Sequence, residues 1–152
     1  MKIQMQDLYH GAVLTQITEH PSFTALNKPD SLYGHYQVNH DTRIFVKYLS
    51  KETSPWSFKI SVSEMQSIQS DMDVTKNVFL CLVCGQQTIC ALNIQEFSNL
   101  IDLTSSENQY INVEVPTGGS MHVIGTAGSL ERTLRHNSFP DKLFTKSLEM
   151  VD

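Results

Sequence analysis

Two histidines and an aspartate lie close together in the sequence and could take part in acid–base chemistry or metal binding. They are His35, His40 and Asp41. Histidine is the side chain that titrates near neutral pH, and its imidazole is a common metal ligand. In an extended chain, however, His35 and His40 point to opposite faces. This favours the alternative that His40 and Asp41 are turn residues and that His35 is a strand residue hydrogen-bonded to a neighbour.

The C-terminal region is the one net-basic part of the chain, and it could contact a nucleic-acid backbone or an acidic partner. Its four candidate nucleic-acid-binding residues are Arg132, Arg135, Lys142 and Lys146, and His136 lies in the same stretch. The acids interleaved with these cations are Glu131, Asp141 and Glu149. Because the acids dilute the positive field, the alternative is an ordinary solvated surface.

Three cysteines, Cys81, Cys84 and Cys90, are embedded in apolar sequence. The Cys81-x-x-Cys84 spacing is one that zinc and redox sites use. In a strand, however, residues three apart point to opposite faces, so these two thiols would diverge. An odd number of cysteines in apolar surroundings indicates reduced core thiols of an intracellular protein. We therefore predict a structural role for the thiols and no metal site.

The composition is typical of an ordinary globular protein. The chain has 152 residues, 40% hydrophobic and 18% charged, which predicts a single domain over residues 1–152. The formal net charge of −5 argues against non-specific binding to nucleic acid or anionic membranes, although a local basic patch can still bind. The N-terminus has no long apolar run, and no stretch is long enough to span a membrane. We therefore expect a cytoplasmic protein.

Residues 33–48 combine aromatic and β-branched side chains in the pattern of a β-hairpin. Residues 39–42 have the chemistry of its turn, because Asn and Asp tolerate left-handed backbone. Lys47 lies between Val46 and Tyr48 on the second strand. A lysine flanked by apolar residues in mid-strand must either reach water or meet an acceptor.

Helical spacing predicts three helices. The first runs from about Asp7, as its cap, to Glu19, and residues 23–26 add a turn. The second follows a capping box that begins at Ser61, with Asp71 among the polar residues of its solvated face. The third covers about residues 93–103, where Asn and Glu again match a capping box.

The remaining segments have the patterns of strands. The predicted strands cover residues 56–60, 77–84, 88–92, 110–115 and 121–124, and the apolar run 77–84 indicates a strand covered on both faces. Phe139, Leu143 and Phe144 form a C-terminal anchor that docks on the sheet or covers a dimer partner. The order helix-strand-strand-strand-helix-strand-strand-helix-strand-strand predicts an α/β (α+β) fold with a central mixed sheet flanked by helices.

The first two thirds of this order, helix-strand-strand-strand-helix-strand, resemble the core of the restriction-endonuclease-like superfamily, the PD-(D/E)xK nucleases. Short pieces also resemble a family of small uncharacterised bacterial proteins. Those pieces are residues 38–39, 44–48, 54–58, 83–85 and 139–144. The second resemblance spans most of the chain and implies no activity.

The nuclease resemblance implies a Mg²⁺-dependent cleft, in which carboxylates hold the metal while a lysine orients or activates the attacking water. The candidate catalytic residues in this chain are Glu19, Asp30, Asp41 and Lys47. The family motif places an acid two residues before its lysine, where this chain has Phe45 before Lys47, or Ser57 before Lys59. Because phenylalanine cannot ligate a metal, activity would require an acid from elsewhere in the chain.

Three functions are consistent with these patterns. The leading hypothesis is a non-catalytic or degenerate nuclease-like domain that acts as a binding or accessory protein, with nucleic acid as its partner. The second is an active nuclease with Mg²⁺ as its cofactor. The third is an interaction module that forms a homodimer through a sheet edge or its C-terminal aromatics. The nuclease hypotheses depend on Lys47 projecting into a cleft covered by the first helix.

Overall fold

The computed structural model describes residues 1–145. The helices are α1 (Met5–Thr18), α2 (Val62–Met72) and α3 (Ile94–Leu100). The strands are β1 (Leu26–Asn27), β2 (His35–Val38), β3 (Thr42–Leu49), β4 (Trp56–Ile60), β5 (Asn77–Cys84), β6 (Thr88–Leu92), β7 (Gln109–Glu114) and β8 (His122–Gly125). Two short 3-10 turns follow, His136–Ser138 and Asp141–Phe144. Apart from the short β1, this is the predicted order, and the α+β class with a mixed sheet is confirmed.

The strands form two sheets rather than one. Five of them run in the order β1-β2-β3-β5-β6, and the other three in the order β4-β7-β8. Among the described pairs, only β3–β5 is parallel. A parallel pair needs a long crossover connection, and β4 and α2 lie in the connection between these two strands. The strand after the hairpin, β4, leaves the central sheet and pairs antiparallel with β7.

The five-stranded sheet is covered on both faces. On one face, a core that includes Phe45 and Trp56 is shared with α2, α3 and the three-stranded sheet. On the other face, a second core that includes Ile44 and Val46 is shared with α1 and the C-terminal turns. Residues 78–84 are all buried, as predicted for a strand covered on both faces. Every helix in the described part of the chain is too short or too polar to cross a lipid bilayer.

Reciprocal capping boxes fix the beginnings of α2 and α3. The Ser61 hydroxyl accepts from the Glu64 amide at 3.2 Å, and Glu64 accepts from the Ser61 amide at 2.8 Å. The same pair of bonds joins Asn93 and Glu96 at the start of α3. Both caps were predicted from sequence and are confirmed. The prediction for α1 was wrong by one turn, because its cap is Gln4, and Asp7 lies within the helix and accepts from the Gln4 amide at 2.9 Å.

The turn after β2 explains a second difference from the sequence prediction. Asn39 adopts a left-handed backbone with φ of 55°, and its side-chain oxygen accepts from the Thr24 and Ala25 amides at 2.7 and 3.2 Å. These bonds hold the preceding segment alongside β2, so Leu26 pairs with Val38 in an extended conformation. The prediction of a helical turn over residues 23–26 was therefore wrong.

The C-terminal aromatic anchor docks on the chain's own sheet. Phe139 and Leu143 are buried in the second core, and Phe144 stacks on His20 with 4.2 Å between ring centroids. The first of the two predicted roles for this segment is therefore confirmed. The thiols also diverge as predicted, because Cys81 lies in the second core and Cys84 in the first.

Candidate functional site

Lys47 forms an ion pair with helix α2. Its Nζ lies 2.6 Å from Glu64 Oε2, and both side chains are partly exposed. Alternation along β3 places Ile44 and Val46 against α1, so the odd-numbered neighbours, Phe45 and Lys47, face the other side of the sheet. The prediction that the first helix covers Lys47 was therefore wrong. The acceptor that a mid-strand lysine requires comes from the second helix instead.

The Glu64 carboxylate has a second partner, because it also accepts from the Ser61 amide in the capping box of α2. Burial alone would raise the pKa of Glu64, but the hydrogen bonds from Lys47 and from the Ser61 amide outweigh burial and lower it. Glu64 is therefore charged at neutral pH and committed to partners within the chain. The pair is an ionic contact between β3 and α2.

The three candidate metal-binding carboxylates lie at different places in the fold. Glu19 follows the last turn of α1 and is exposed. Asp30 lies in the loop before β2 and binds His35, with 2.9 Å from Oδ2 to the ring nitrogen. Asp41 lies in the β2–β3 turn and accepts from the Thr42 hydroxyl at 3.2 Å. Within residues 1–145, no three His, Cys, Asp or Glu side chains are grouped so that they could hold a metal ion.

The structure assembles a buried ionic network around His35, whose side chain is only 3% exposed. The ring nitrogens lie 2.9 Å from Asp30 Oδ2 and 2.6 Å from Asp71 Oδ2. Arg43 donates to Asp71 Oδ1 at 2.8 Å. The imidazole also stacks on Phe45 with 4.3 Å between ring centroids. We refer to Asp30, His35, Arg43 and Asp71 as the His35 network.

Both nitrogens of His35 face carboxylates, so both must be protonated for the two hydrogen bonds to form together. Burial would lower the pKa of His35, but the hydrogen bonds to Asp71 and Asp30 outweigh burial and raise the pKa above its ordinary value. A fully engaged imidazolium has no free nitrogen to take a substrate proton or bind a metal. The network is therefore a structural joint between the loop before β2, the sheet and α2.

The predicted separation of the two histidines is confirmed. His35 is buried in β2, whereas His40 is exposed in the β2–β3 turn with Asp41. The network partner of His35 was missed, because Asp71 was predicted to lie on the solvated face of α2. That prediction was wrong, since Asp71 is 4% exposed. The available signal was Arg43, which directly follows the predicted turn. A cation on a covered face of the sheet requires a carboxylate beside it.

A second group that sequence patterns did not indicate lies between α1 and the hairpin. Tyr9 stacks on Tyr48 with 4.8 Å between centroids, and His10 meets Tyr36 and Tyr48 edge-on at 6.3 and 6.0 Å. Lys28 Nζ lies 4.8 Å from the centroid of the Tyr36 ring. Burial and Lys28 lower the pKa of His10, against the opposing effect of the Asp7 carboxylate. Aromatic side chains thus fill the space between α1 and the hairpin, where the nuclease hypothesis required a lysine and acids.

The four candidate nucleic-acid-binding residues differ in how available they are. Arg132 and Arg135 are exposed, and Arg132 borders a surface cavity of about 540 Å³. Lys142 lies 2.6 Å from Glu96 Oε1 and donates to the Ala91 carbonyl at 2.8 Å, so its ammonium holds the C-terminal segment against α3 and β6. Lys146 lies outside the described residues. Of the four, Arg132 and Arg135 therefore remain as candidates for contact with nucleic acid.

Comparison of the chain with protein-family models, with curated proteins and with solved structures finds no match. The resemblance to the PD-(D/E)xK superfamily accordingly stays a prediction based on element order.

Proposed function

We propose that the chain is a non-catalytic binding or accessory domain with a nuclease-like core, and that it contacts the phosphate backbone of nucleic acid through Arg132 and Arg135. The observation that carries this proposal is the contrast between the cations. Arg43, Lys47 and Lys142 are committed to carboxylates within the chain. By contrast, neither arginine of the C-terminal segment has a side-chain hydrogen bond or ion pair with any described residue.

The backbone around the two arginines is fixed. Leu134, which lies between them, exchanges two hydrogen bonds with Met121, at 2.8 and 2.9 Å, at the start of β8. His136 Nε2 then donates to the Gly119 carbonyl at 2.9 Å. Guanidinium groups on an ordered segment lose less entropy on binding than groups on a free tail. Arginine also matches phosphate in a two-point geometry that lysine cannot form.

The non-catalytic part of the proposal rests on the residues that a Mg²⁺ mechanism would use. Lys47 is paired with Glu64, and Asp30 is paired with His35. Releasing either residue for a metal or a phosphate would break an existing ion pair. The cytoplasmic location also belongs to the proposal, and it is supported by three buried, free thiols, which are typical of a reducing compartment.

Binding to a fluorescently labelled DNA duplex across a salt series tests the proposal. We expect the logarithm of the association constant to fall linearly with the logarithm of salt concentration. The double variant Arg132→Ala/Arg135→Ala should bind more weakly and reduce the slope by about one for each arginine removed. The matched control is Lys59→Ala/Lys76→Ala, which removes the same charge from exposed positions elsewhere. It should leave the affinity and the salt slope unchanged.

Three results would overturn parts of the proposal. The arginine contact is wrong if no salt-dependent binding is seen, or if the control variant loses as much affinity as the arginine variant. The non-catalytic assignment is wrong if the protein cleaves DNA with Mg²⁺ and Lys47→Ala abolishes the cleavage, which would support the active-nuclease alternative.

A further inference from the structure

The loop of residues 28–33 is attached to the sheet through His35. Asp30 meets one ring nitrogen of His35, while Lys28 Nζ donates to the His35 backbone carbonyl at 2.9 Å. The Asp30 side chain also accepts from the Leu32 amide at 3.0 Å, which ties the loop to itself. The loop exposes Leu32 and Tyr33, whose relative exposures are 44% and 83%. The position of these two apolar side chains therefore depends on the Asp30–His35 contact together with Lys28, whose ammonium also donates to the Leu32 carbonyl.

The two carboxylates that flank His35 are not equivalent. The Asp71 side chain is 6% exposed and also binds Arg43, whereas the Asp30 side chain is 44% exposed. A neutral imidazole has one N–H, so it can keep only one of its two donated hydrogen bonds. Asp71 retains that bond because a buried carboxylate loses more than an exposed one when its donor is removed. The unprotonated nitrogen then faces Asp30, and two acceptors repel each other.

We propose that Asp30, His35 and Asp71 form a pH-controlled latch, in which the doubly protonated imidazole holds the 28–33 loop on the sheet and deprotonation of His35 releases the loop at Asp30. The released carboxylate passes to water, since it is already partly exposed. Asp71 and Arg43 stay in place, so the sheet and α2 remain joined. The inference is independent of the proposed nucleic-acid contact, which involves a different part of the chain.

The charged and titratable groups around His35 come from three elements. The loop contributes the Asp30 carboxylate and the Lys28 ammonium, and α2 contributes the Asp71 carboxylate. The guanidinium of Arg43 comes from β3 and reaches the ring only through Asp71. With two carboxylates in direct contact with the ring, the imidazolium is the favoured form. The arrangement binds the proton more firmly than a solvated histidine does.

The direction of the pH effect follows from these pKa shifts. The pKa of His35 is raised above its ordinary 6.5, so the latch contributes fully below that value and is lost as pH rises through the folded pKa. The pKa of Asp30 is lowered from its ordinary 3.8: burial alone would raise it, but the hydrogen bonds from His35 and Leu32 prevail. The latch is therefore also lost as pH falls through the lowered pKa of Asp30.

NMR spectroscopy of the whole chain tests the latch. Below pH 6.5, ring ¹⁵N shifts should show both His35 nitrogens protonated. As His35 titrates, we expect the hydrogen-exchange protection factor of the Leu32 amide to fall roughly tenfold with the same midpoint, since a charge-assisted hydrogen bond contributes about this much. Amides of β5 serve as the internal reference and should keep their protection.

The variant Asp30→Asn provides a second measurement, because it changes an exposed side chain and leaves Asp71 in place. It should lower the pKa of His35 and remove the pH dependence of Leu32 protection, while Asp73→Asn, an exposed aspartate next to α2, should change neither. The proposal is wrong if His35 titrates with no change at Leu32. It is also wrong if the ring carries a single proton below pH 6.5, or if Asp30→Asn leaves the His35 pKa where it was.

Discussion

Asp71 is the buried carboxylate among residues 1–145, and it receives hydrogen bonds from two cations. Its neighbours His35 and Arg43 come from different strands, so one side chain joins β2, β3 and the end of α2. A buried ion pair contributes little relative to apolar packing, but removing one partner leaves a charge without compensation. The cost of changing Asp71 should therefore be large even though the network as a whole is not a large source of stability.

The variant Asp71→Asn keeps the shape of the side chain and removes its charge. We expect the free energy of unfolding to fall by about 3 kcal/mol, because His35 and Arg43 lose their shared counterion. Urea denaturation at pH 6, followed by Trp56 fluorescence, measures the change. The control Asp73→Asn lies on the same helix end but is exposed, and should stay within about 0.5 kcal/mol of the parent. Equal effects of the two variants would show that Asp71 is not the centre of the network.

Single residues were the hardest features to predict from sequence. His35 was predicted to be hydrogen-bonded to a neighbour, which is confirmed, but the neighbours are loop and helix residues that no local pattern identifies. Asp71 and Lys47 were misplaced for the same physical reason. Periodicity gives the two faces of an element, whereas tertiary packing decides which neighbour covers each face. A polar residue that meets a countercharge can then be buried on the side that the pattern assigns to solvent.

Elements were predicted more successfully, because their signals are local. Capping boxes fix the starts of α2 and α3, and the apolar run of residues 77–84 gives the central strand β5. The partition into two sheets was not predicted, because β4 and β7 pair across a separation of about fifty residues. Nothing in the Trp56–Ile60 pattern distinguishes a third strand of the hairpin sheet from an edge strand of another sheet. Strand existence is a local property, and strand partnership is not.

Helix α1 contains a glycine that packing does not require. Gly11 lies in the middle of the helix, and a Cβ built at that position would meet nothing within 4 Å. We expect Gly11→Ala to raise the free energy of unfolding by ~0.5 to ~1 kcal/mol, because alanine loses less backbone entropy on forming the helix. Thermal or urea denaturation gives the difference directly.

A contrasting substitution tests whether space at Gly11 is the reason. At Gly125 in β8, an added Cβ would lie 2.1 Å from the Leu100 carbonyl oxygen, which belongs to α3. Gly125→Ala should therefore be destabilising, since α3 and β8 would have to separate. If Gly11→Ala also lowered stability, α1 would have a packing constraint at that position that the described contacts do not include.

At the scale of the whole molecule, the five-stranded sheet separates two cores that have different neighbours. Trp56 lies in the core shared with α2, α3 and the three-stranded sheet, and Cys81 lies in the core shared with α1 and the C-terminal turns. Both cores use alternate residues of the same strands, β3 and β5. Loss of either core therefore exposes one face of strands on which the other core depends, and this coupling is a physical reason to expect the two cores to unfold together.

The two cores provide independent probes of that coupling. Trp56 is the only tryptophan in the chain. The variant Cys84→Ala/Cys90→Ala leaves Cys81 as the only thiol, and burial raises the pKa of Cys81 to about 12 in the folded state. We expect urea titrations followed by Trp56 fluorescence and by brief thiol labelling of Cys81 to share one midpoint, as a two-state domain requires. An earlier midpoint for Cys81 would mean that α1 and the C-terminal turns leave the sheet before the other core unfolds. The single-domain prediction would then be wrong, because the strands that both cores share would not be enough to make them unfold together.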